Sequence, residues 1–364
     1  MKKWLPAALS FLLLLPLTAC GKQNYLERTN IVLGIAIDRT DKDQLLVIDN
    51  QVLFSTALKE KSITSSTKAP SVRAARENLN AMSRGSVTGS KLQVLLLGKR
   101  LLQEKDVMPL IDVVFRDAKN ATNARVIAVD DSIEEIMSFM PRDKTHLSVY
   151  LSDLVDNAYD KRSIARTEIK QFHYQYFEEG ITPAITQLKK SKNEIIVTGT
   201  ALLNNKATYI VSLDRKESVL LQALQENVES ASVPYTIPVA GKGQVSIDLR
   251  SKQKVKTSFV RGKFRFDIQM KISASLLERT FTMNAEKQVD EITKMVQAQL
   301  LHDARALVKK LQDHHVDPVG FGLHARAFEY SHWKKVQDHW PDAFADADVH
   351  LTLDVEMKGL GAVK

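Results

Sequence analysis

Residues 263–272 read KFRFDIQMKI, a run in which polar and apolar side chains alternate at every step. Successive side chains of a β-strand point to opposite faces of a sheet, so this run predicts a strand with one buried and one exposed face. The same period of two occurs over 245–249 (VSIDL) and over 349–357 (VHLTLDVEM). Because sheets with one wet face are mostly antiparallel, the three runs predict an antiparallel sheet in the C-terminal half.

The dry face of this sheet needs a cover, and a helix over about residues 285–312 is the best candidate. Asn284 is placed to cap its first turn, and Lys309 and Lys310 suit the negative end of the helix dipole. Its apolar residues fall on one stripe, namely Val289, Ile292, Val296, Leu300, Leu307 and Leu311. We therefore expect a C-terminal antiparallel α+β domain over 191–364, with the sheet covered by a long helix.

The N-terminal half follows a different pattern. Residues 31–38 (IVLGIAID) and 92–97 (LQVLLL) are almost continuously apolar, which is typical of strands that are covered on both faces. Helical stripes lie between the strand candidates, and Ser71 is placed to cap one that runs to about Arg84. This alternation of strands and helices predicts an N-terminal α/β domain over 29–140, and hence a mixed α/β, multi-domain protein.

Two further segments lack a clear strand pattern. Residues 60–70 are rich in Ser, Thr and Lys and are predicted to form a loop. Residues 141–190 are polar, contain Pro141 and Pro183, and are predicted to be a helix-rich region that connects the two domains.

The first twenty residues have the pattern of an exported lipoprotein. Two lysines precede an apolar run from Trp4 to Leu15, and LTAC over 17–20 ends in the only cysteine of the chain. We expect residues 1–19 to be a signal peptide, Cys20 to carry a diacylglyceryl group, and 20–28 to be a lipidated tether. Each buried methylene of a fatty acyl chain such as palmitate contributes ~0.8 kcal/mol, so two long acyl chains are expected to anchor the body to a membrane.

The composition of the chain argues against a nucleic-acid-binding protein and against a protein stabilised by disulfides. The chain has 364 residues, one cysteine and a formal charge of +8. Basic and acidic residues are interleaved, whereas a nucleic-acid groove needs Lys and Arg clustered on one face, so we expect no nucleic-acid partner. With Cys20 used by the anchor, the exported body has no disulfide and depends on packed cores.

No motif for catalysis or cofactor binding is present. The Gly320-Phe321-Gly322 run lacks both the third glycine of a dinucleotide fingerprint and a phosphate-loop lysine, so it predicts a tight turn. We assign no catalytic, cofactor-binding or metal-binding residue and expect a protein that is not an enzyme.

Histidines are concentrated in the last third of the chain, which holds seven of the nine. A zinc site drawn from His314, His315 and Asp317 is conceivable. Adjacent histidines, however, do not share one helical face as an i, i+4 pair does. Surface and helix-end positions are the favoured interpretation.

Trp333 and Trp340 are seven residues apart and fall on nearly the same face of a helix. Packing against the sheet is the default interpretation for such a pair. The alternative is an aromatic patch that faces a partner, and the two tryptophans are our candidates for partner contact.

Several runs taken in order resemble the Ger(x)C lipoproteins, the C subunits of spore germinant receptors. They are the lipobox ending at Cys20, then 31–38, 91–98 (KLQVLLLG), Phe115-Arg116-Asp117, 199–203 (GTALL), and 317–322 (DPVGFG) followed by Trp333 and Trp340. The resemblance covers nearly the whole chain. One departure is that Gly-Lys-Gln follows Cys20, where family members often have Trp and then Asp or Asn.

This resemblance implies a non-enzymatic subunit on the outer face of the spore inner membrane. It implies two integral membrane subunits, of A and B type, as partners in nutrient-triggered germination. The fold implied is several mixed α/β domains. Whether this subunit itself binds a germinant is left open, although the resemblance points to the membrane subunits.

Other functions remain possible on the sequence alone. A solute-binding lipoprotein of a transporter is the main alternative, although it would require a second doubly wound lobe. A surface hydrolase or metal enzyme and a purely structural envelope protein are further alternatives.

Overall fold

A computed structural model describes residues 29–52, 62–83, 85–225, 228–239, 243–281 and 289–359. The described strands form a nine-stranded sheet and a four-stranded sheet. The strands in chain order are β1 (Thr29–Arg39), β2 (Leu45–Val52), β3 (Ser62–Ala69), β4 (Ser86–Thr88), β5 (Val94–Gly98), β6 (Arg125–Val129), β7 (Ala184–Ser191), β8 (Glu194–Leu203), β9 (Tyr209–Asp214), β10 (Val228–Val239), β11 (Gly243–Val260), β12 (Lys263–Arg279) and β13 (Asp348–Gly359).

The α-helices lie between these strands. In chain order they are α1 (Val72–Met82), α2 (Met108–Arg116), α3 (Ile133–Met137), α4 (Leu147–Asp160), α5 (Ile169–Phe177), α6 (Arg215–Gln225), α7 (Val289–Asp313), α8 (Phe321–Phe328), α9 (Tyr330–Trp333) and α10 (Trp340–Ala345). Two short 3-10 turns, Leu101–Gln103 and Gln337–His339, complete the described helices.

The first sheet has the order β3-β2-β1-β5-β6-β7-β8-β9, with β4 paired to β1. Its central pairs, from β1 through β5 and β6 to β7, are parallel. Its outer pairs are antiparallel on both sides. Parallel neighbours require crossover connections, and the helices that supply them cover the sheet.

Both faces of the first sheet are buried. One face packs on α1, α2 and α5, with Leu95 and Leu97 in its core. The other face packs on α3 and α4, with Leu96 and Ile127 in its core. Burial on alternating sides explains why 92–97 is apolar at nearly every position, and the predicted α/β character of this half is confirmed.

The predicted loop over 60–70 is wrong, because Ser62–Ala69 is the edge strand β3. It pairs antiparallel with β2 over its full length, from Leu45 opposite Ala69 to Val52 opposite Ser62. Most of its side chains are at least partly exposed, so its Ser- and Thr-rich composition has no core pattern. Pairing with β2, rather than local sequence, makes this segment a strand.

The predicted connecting region does not stand apart from the first sheet. Residues 141–190 contribute α4, α5 and most of β7, and all three pack into that sheet. Strands β8 and β9 continue the sheet beyond residue 191, where we placed the start of the C-terminal domain. The edge of the first sheet is therefore at Asp214, because hairpin pairing extends it past the predicted boundary.

The second sheet has the order β10-β11-β12-β13. Strands β10, β11 and β12 are antiparallel neighbours, as expected. Strand β13, however, runs parallel to β12, with Ile268 opposite Leu351. A period of two indicates which side chains of a strand face solvent, but it does not indicate whether the strand runs parallel or antiparallel to its neighbour. The chain leaves β12, crosses the sheet through α7 and returns in the same direction, which fixes a parallel pair.

Helix α7 covers the dry face of this sheet, as predicted. It runs from Val289 to Asp313, and its buried stripe includes Ile292, Val296, Leu300 and Leu307. The stripe packs in one core with the inward residues of β12, which include Phe266 and Ile268. The predicted cap Asn284 lies outside the described residues.

The two halves share part of their cores. In β8, Ala201 and Leu203 pack with the helices of the first sheet, whereas Leu202 between them packs with the core of the second sheet. Alternate side chains of β8 therefore point into two different cores, so the two halves of the protein meet at this strand.

Candidate functional site

Asp317 stands at the centre of a buried turn between α7 and α8. It is 0% exposed, and its carboxylate accepts three hydrogen bonds. The backbone amides of Gly320 and Gly322 donate at 2.8 and 2.9 Å, and the indole Nε1 of Trp340 donates at 2.9 Å. The carboxylate therefore holds together a turn and a helix that begins 23 residues later in the chain.

Two glycines allow this turn to form. Gly320 has φ 86°, a left-handed conformation that glycine adopts at little cost. At Gly322 an added Cβ would lie 2.5 Å from the Cα of Gly180 and 2.7 Å from Nε1 of Trp340. Any side chain at Gly322 would thus separate the turn from residue 180, so the tight turn predicted here is confirmed and has a packing reason.

The turn joins the two halves of the protein. The backbone amide of Thr182 donates to the carbonyl of Asp317 at 2.9 Å, just before β7 begins. Arg326 of α8 pairs with Glu178, which follows α5, at 2.7 Å. We call Asp317, Gly320, Gly322, Trp340 and Gly180 the joint. It positions the second sheet relative to the first.

Burial dominates the electrostatics of Asp317 and raises its pKa to about 6. The indole of Trp340 and the amides of Gly320 and Gly322 oppose this rise, because hydrogen bonds stabilise the charged form. All three donors are already satisfied by the carboxylate. Asp317 is thus engaged as an acceptor that holds structure together.

The partner-facing interpretation of Trp333 and Trp340 is wrong for this chain. Trp340 is 0% exposed and Trp333 is 3% exposed. The ring of Trp340 packs edge-on against Phe264 at 5.3 Å between centroids, and Arg326 lies over the ring of Trp333. Both tryptophans are core residues because the helices around them turn inward onto β12, which the spacing alone did not reveal.

Other aromatic side chains are exposed instead. On α5, Tyr174 and Phe177 are 50% and 64% exposed, and Phe328 and Tyr330 are 65% and 58% exposed. The pair Glu178–Arg326 links the segments that carry them. Large exposed aromatic side chains are typical of surfaces that contact partners.

The wet face of the second sheet is charged. Strand β11 presents Arg250, Lys252, Lys254 and Lys256 at alternating exposed positions. Across the sheet, Lys252 is in register with Lys271, which is in register with Asp354 of β13. The charged side chains on this face are exposed and can make polar contacts outside the core.

The three residues considered for zinc do not converge. His314 contacts the carbonyl of Lys310 at 2.9 Å, and His315 contacts Asp342 at 2.8 Å. Both histidines are exposed, whereas Asp317 is buried with its oxygens engaged in the joint. Within the described ranges, no three His, Cys, Asp or Glu side chains are grouped as metal ligands.

Cys20, the predicted lipidation site, lies outside the described residues, as do the predicted signal peptide and tether. Among the helices of the described ranges, none is both long enough and apolar enough to cross a membrane.

Comparison with known proteins gives matches over almost the whole chain. Residues 22–190 match the family profile described as "Spore germination protein N-terminal domain". Residues 198–361 match the profile described as "Spore germination B3/ GerAC like, C-terminal".

Full-length relatives carry similar names. Spore germination protein B3 of Bacillus subtilis (strain 168) is 21% identical over 384 residues, with 97% of each chain covered. Spore germination protein GerQC of Bacillus cereus is 18% identical over 369 residues, with all of both chains covered.

A solved structure shares the fold. The crystal structure of the GerBC protein superposes with a TM-score of 0.57 at 18% identity, covering 90% of this chain and 97% of that one. The mixed fold with two sheets is thus that of a known protein of similar length.

Proposed function

The chain belongs to the family of GerAC-like spore germination proteins, and we propose that it is a lipid-anchored, non-catalytic subunit of a spore germinant receptor. In this proposal it works with two integral membrane subunits, of A and B type, in nutrient-triggered germination. Its place is the outer face of the spore inner membrane, and the integral subunits bind the germinant.

One observation carries the proposal. Two germination-specific profiles match in the same order, over 22–190 and 198–361, and leave no room for an unrelated domain between them. Relatives named for spore germination align with this chain from end to end. A subunit role therefore rests on the whole chain and not on one local motif.

The lipobox supports the anchor. Cys20 follows a basic start and an apolar run, and only nine residues separate the end of the signal from Thr29, where β1 begins. A fully extended tether of this length spans about 30 Å at most. An acylated Cys20 would keep the folded body within that distance of the bilayer and raise its effective concentration near membrane partners.

The structural use of the carboxylates of Asp317 and Asp303 supports a non-catalytic role. Asp317 accepts three hydrogen bonds within the joint, and Asp303 accepts from Tyr235 at 2.8 Å between α7 and β10. These carboxylates connect elements of the fold. Exposed aromatic side chains such as Phe177 and Phe328 offer area for contact with the membrane subunits.

The anchor is tested by replacing Cys20 with Ala. We expect C20A to leave the membrane fraction and to impair germination through this receptor, because the thiol that carries the acyl chains is gone. Gly21→Ala is the matched control, since it changes the adjacent residue and keeps the thiol. Membrane retention and normal germination of C20A would contradict the anchor.

Subunit assembly is tested separately by affinity capture from detergent-solubilised spore membranes. We expect the wild-type chain to retain two integral membrane proteins encoded beside it. Capture of a transporter permease in their place would favour the solute-binding alternative and would contradict the receptor role.

A further inference from the structure

A cavity of about 50 Å³ lies within the first sheet domain, between β1 and β2 on one side and helices α1 and α2 on the other. Its wall is mainly hydrocarbon and includes Val32, Val47, Val72, Leu79 and Val113. One buried water needs only about 10–15 Å³, so the cavity has room for a molecule of a few heavy atoms. It is separate from the joint.

One buried carboxylate lines this apolar cavity. Asp49 of β2 is 3% exposed, and its Oδ2 accepts a hydrogen bond from the side-chain amide of Gln51 at 2.8 Å. Its other oxygen, Oδ1, is buried and has no hydrogen-bond partner within the described part of the chain. The backbone amides of Ser65 and Asp49 lie near the carboxyl, but neither meets Oδ1 in hydrogen-bonding geometry.

The positive charge on the same wall is already committed. Arg76 of α1 forms an ion pair with Asp117, and its second terminal nitrogen lies 3.4 Å from the carbonyl of Val87. Asp49 therefore has no cationic partner on the wall. A buried carboxylate that keeps an unpaired oxygen is unfavourable, because it loses hydration without compensation. Burial accordingly raises the pKa of Asp49 to about 6.

We propose that this cavity binds a small organic ammonium ion, whose charged head meets Oδ1 of Asp49 and whose short alkyl tail lies against the valine and leucine side chains. An N–H donor on a cation makes a charge-assisted hydrogen bond, which is the strong kind. A mostly apolar pocket with one placed polar group is the usual form of a small-molecule site.

The composition of the wall favours this ligand over a bare metal ion. Hard cations such as Ca²⁺ and Mg²⁺ take a shell of six or so oxygen ligands, whereas hydrocarbon surrounds most of this cavity. An anion in the cavity would be repelled by the negative charge on the carboxylate of Asp49. The inference does not depend on the receptor role, because it rests on the cavity and its carboxylate alone.

The test uses the full chain in detergent micelles at pH 8, where Asp49 is ionised, with ¹³C-labelled valine methyl groups. The probe is n-propylammonium chloride, and sodium chloride and sodium propionate serve as controls at equal ionic strength. We expect saturable shifts of the methyl signals of the cavity valines with propylammonium alone. Absence of saturable shifts, or equal shifts with sodium chloride, would overturn the proposal.

Two variants locate the site. Asp49→Asn keeps the shape of the side chain and removes its charge, and we expect it to weaken propylammonium binding by roughly 10- to 100-fold. Asp153→Asn makes the same change at an exposed position of α4 and is expected to bind like the wild type. Equal affinity of the Asp49 variant and the wild type would show that the ammonium does not bind this carboxylate, which overturns the proposal.

Discussion

The two sheets differ in how their strands are covered. In β5 of the first sheet, Leu95, Leu96 and Leu97 are all 0% exposed, because helices pack on both faces. In β12 of the second sheet, Ile268 is buried while its neighbour Gln269 is exposed. A sheet covered on both faces constrains every position, whereas the second sheet leaves every other position free for contacts outside the core.

The joint between the sheets should be the most sensitive place in the molecule. We expect Trp340→Ala to lower the free energy of unfolding by about 3–5 kcal/mol, because it empties a large core volume and removes a donor from Asp317. Chemical denaturation of the purified protein measures this change. Tyr330→Ala, an exposed aromatic nearby, is the control, and an equal loss in both variants would show that the joint has no special role.

A paired alanine scan tests the contrast between the sheets directly. In the first sheet, we expect Leu95→Ala and Leu96→Ala each to cost about 2–5 kcal/mol. In the second sheet, Ile268→Ala should cost a similar amount, whereas Gln269→Ala should stay within ~0.5 kcal/mol. The same denaturation measurements apply. A large cost at Gln269 would mean that the wet face is covered in solution.

The pH dependence of stability should differ between the wild type and Asp49→Asn. Burial raises the pKa of Asp49 in the folded state to about 6, above the ordinary range of an aspartate, so the folded state holds the proton more tightly. The protonated carboxyl of Asp49 therefore contributes fully to stability below pH ~4. This contribution, on the order of 2–3 kcal/mol, is lost as the pH rises through about 6. Urea denaturation of both proteins from pH 4 to 8 measures the difference, which should be flat above pH ~7.

The same Asp→Asn change should have opposite signs in the two regions at pH 7. Asp49→Asn removes an uncompensated charge and should stabilise the protein by about 1–3 kcal/mol, whereas Asp317→Asn should destabilise it by about 1–3 kcal/mol. In the joint, an NH₂ group would face one of the three N–H donors. Thermal unfolding of both variants checks the signs, and a shared sign would refute this account of the two carboxylates.

The smallest effect concerns the ion pair that connects α6 to α7. Lys310 lies 2.8 and 2.9 Å from the two oxygens of Glu217, and both side chains are mostly buried. We expect Lys310→Ala to cost about 1 kcal/mol in denaturation experiments. Lys309→Ala on the exposed side of the same helix should cost less, and the reverse order would contradict the assignment.

Much of the secondary structure could be predicted because apolar residues recur with a regular period along the chain. Alternation over 263–272 predicted a strand with one wet face, and the apolar stripe from Ile292 to Leu311 predicted the covering helix. The edge strand β3 was missed, because its Ser and Thr side chains touch little core and its partners in β2 lie upstream in the chain, from Val52 opposite Ser62 to Leu45 opposite Ala69.

The candidate sites were harder to predict than the elements. The sequence indicated only a glycine turn next to Asp317. The hydrogen bond from Trp340 could not be predicted, because this residue lies 23 positions further along the chain, in another helix. Spacing alone placed Trp333 and Trp340 on one face but did not say whether the core or the solvent covers it. Asp49 gave no signal at all, since a single acidic residue in a strand has no period.

By itself, the sequence determined the lipobox pattern at Cys20, the mixed α/β class and the buried face of the alternating strands β11, β12 and β13, since these depend on local order and on periods of two and 3.6. Only the tertiary structure decided that β13 runs parallel to β12, that β8 belongs to both cores, and that Asp317 and Trp340 meet. Such contacts join residues far apart in the chain, and their energy comes from burial that no short window of sequence contains.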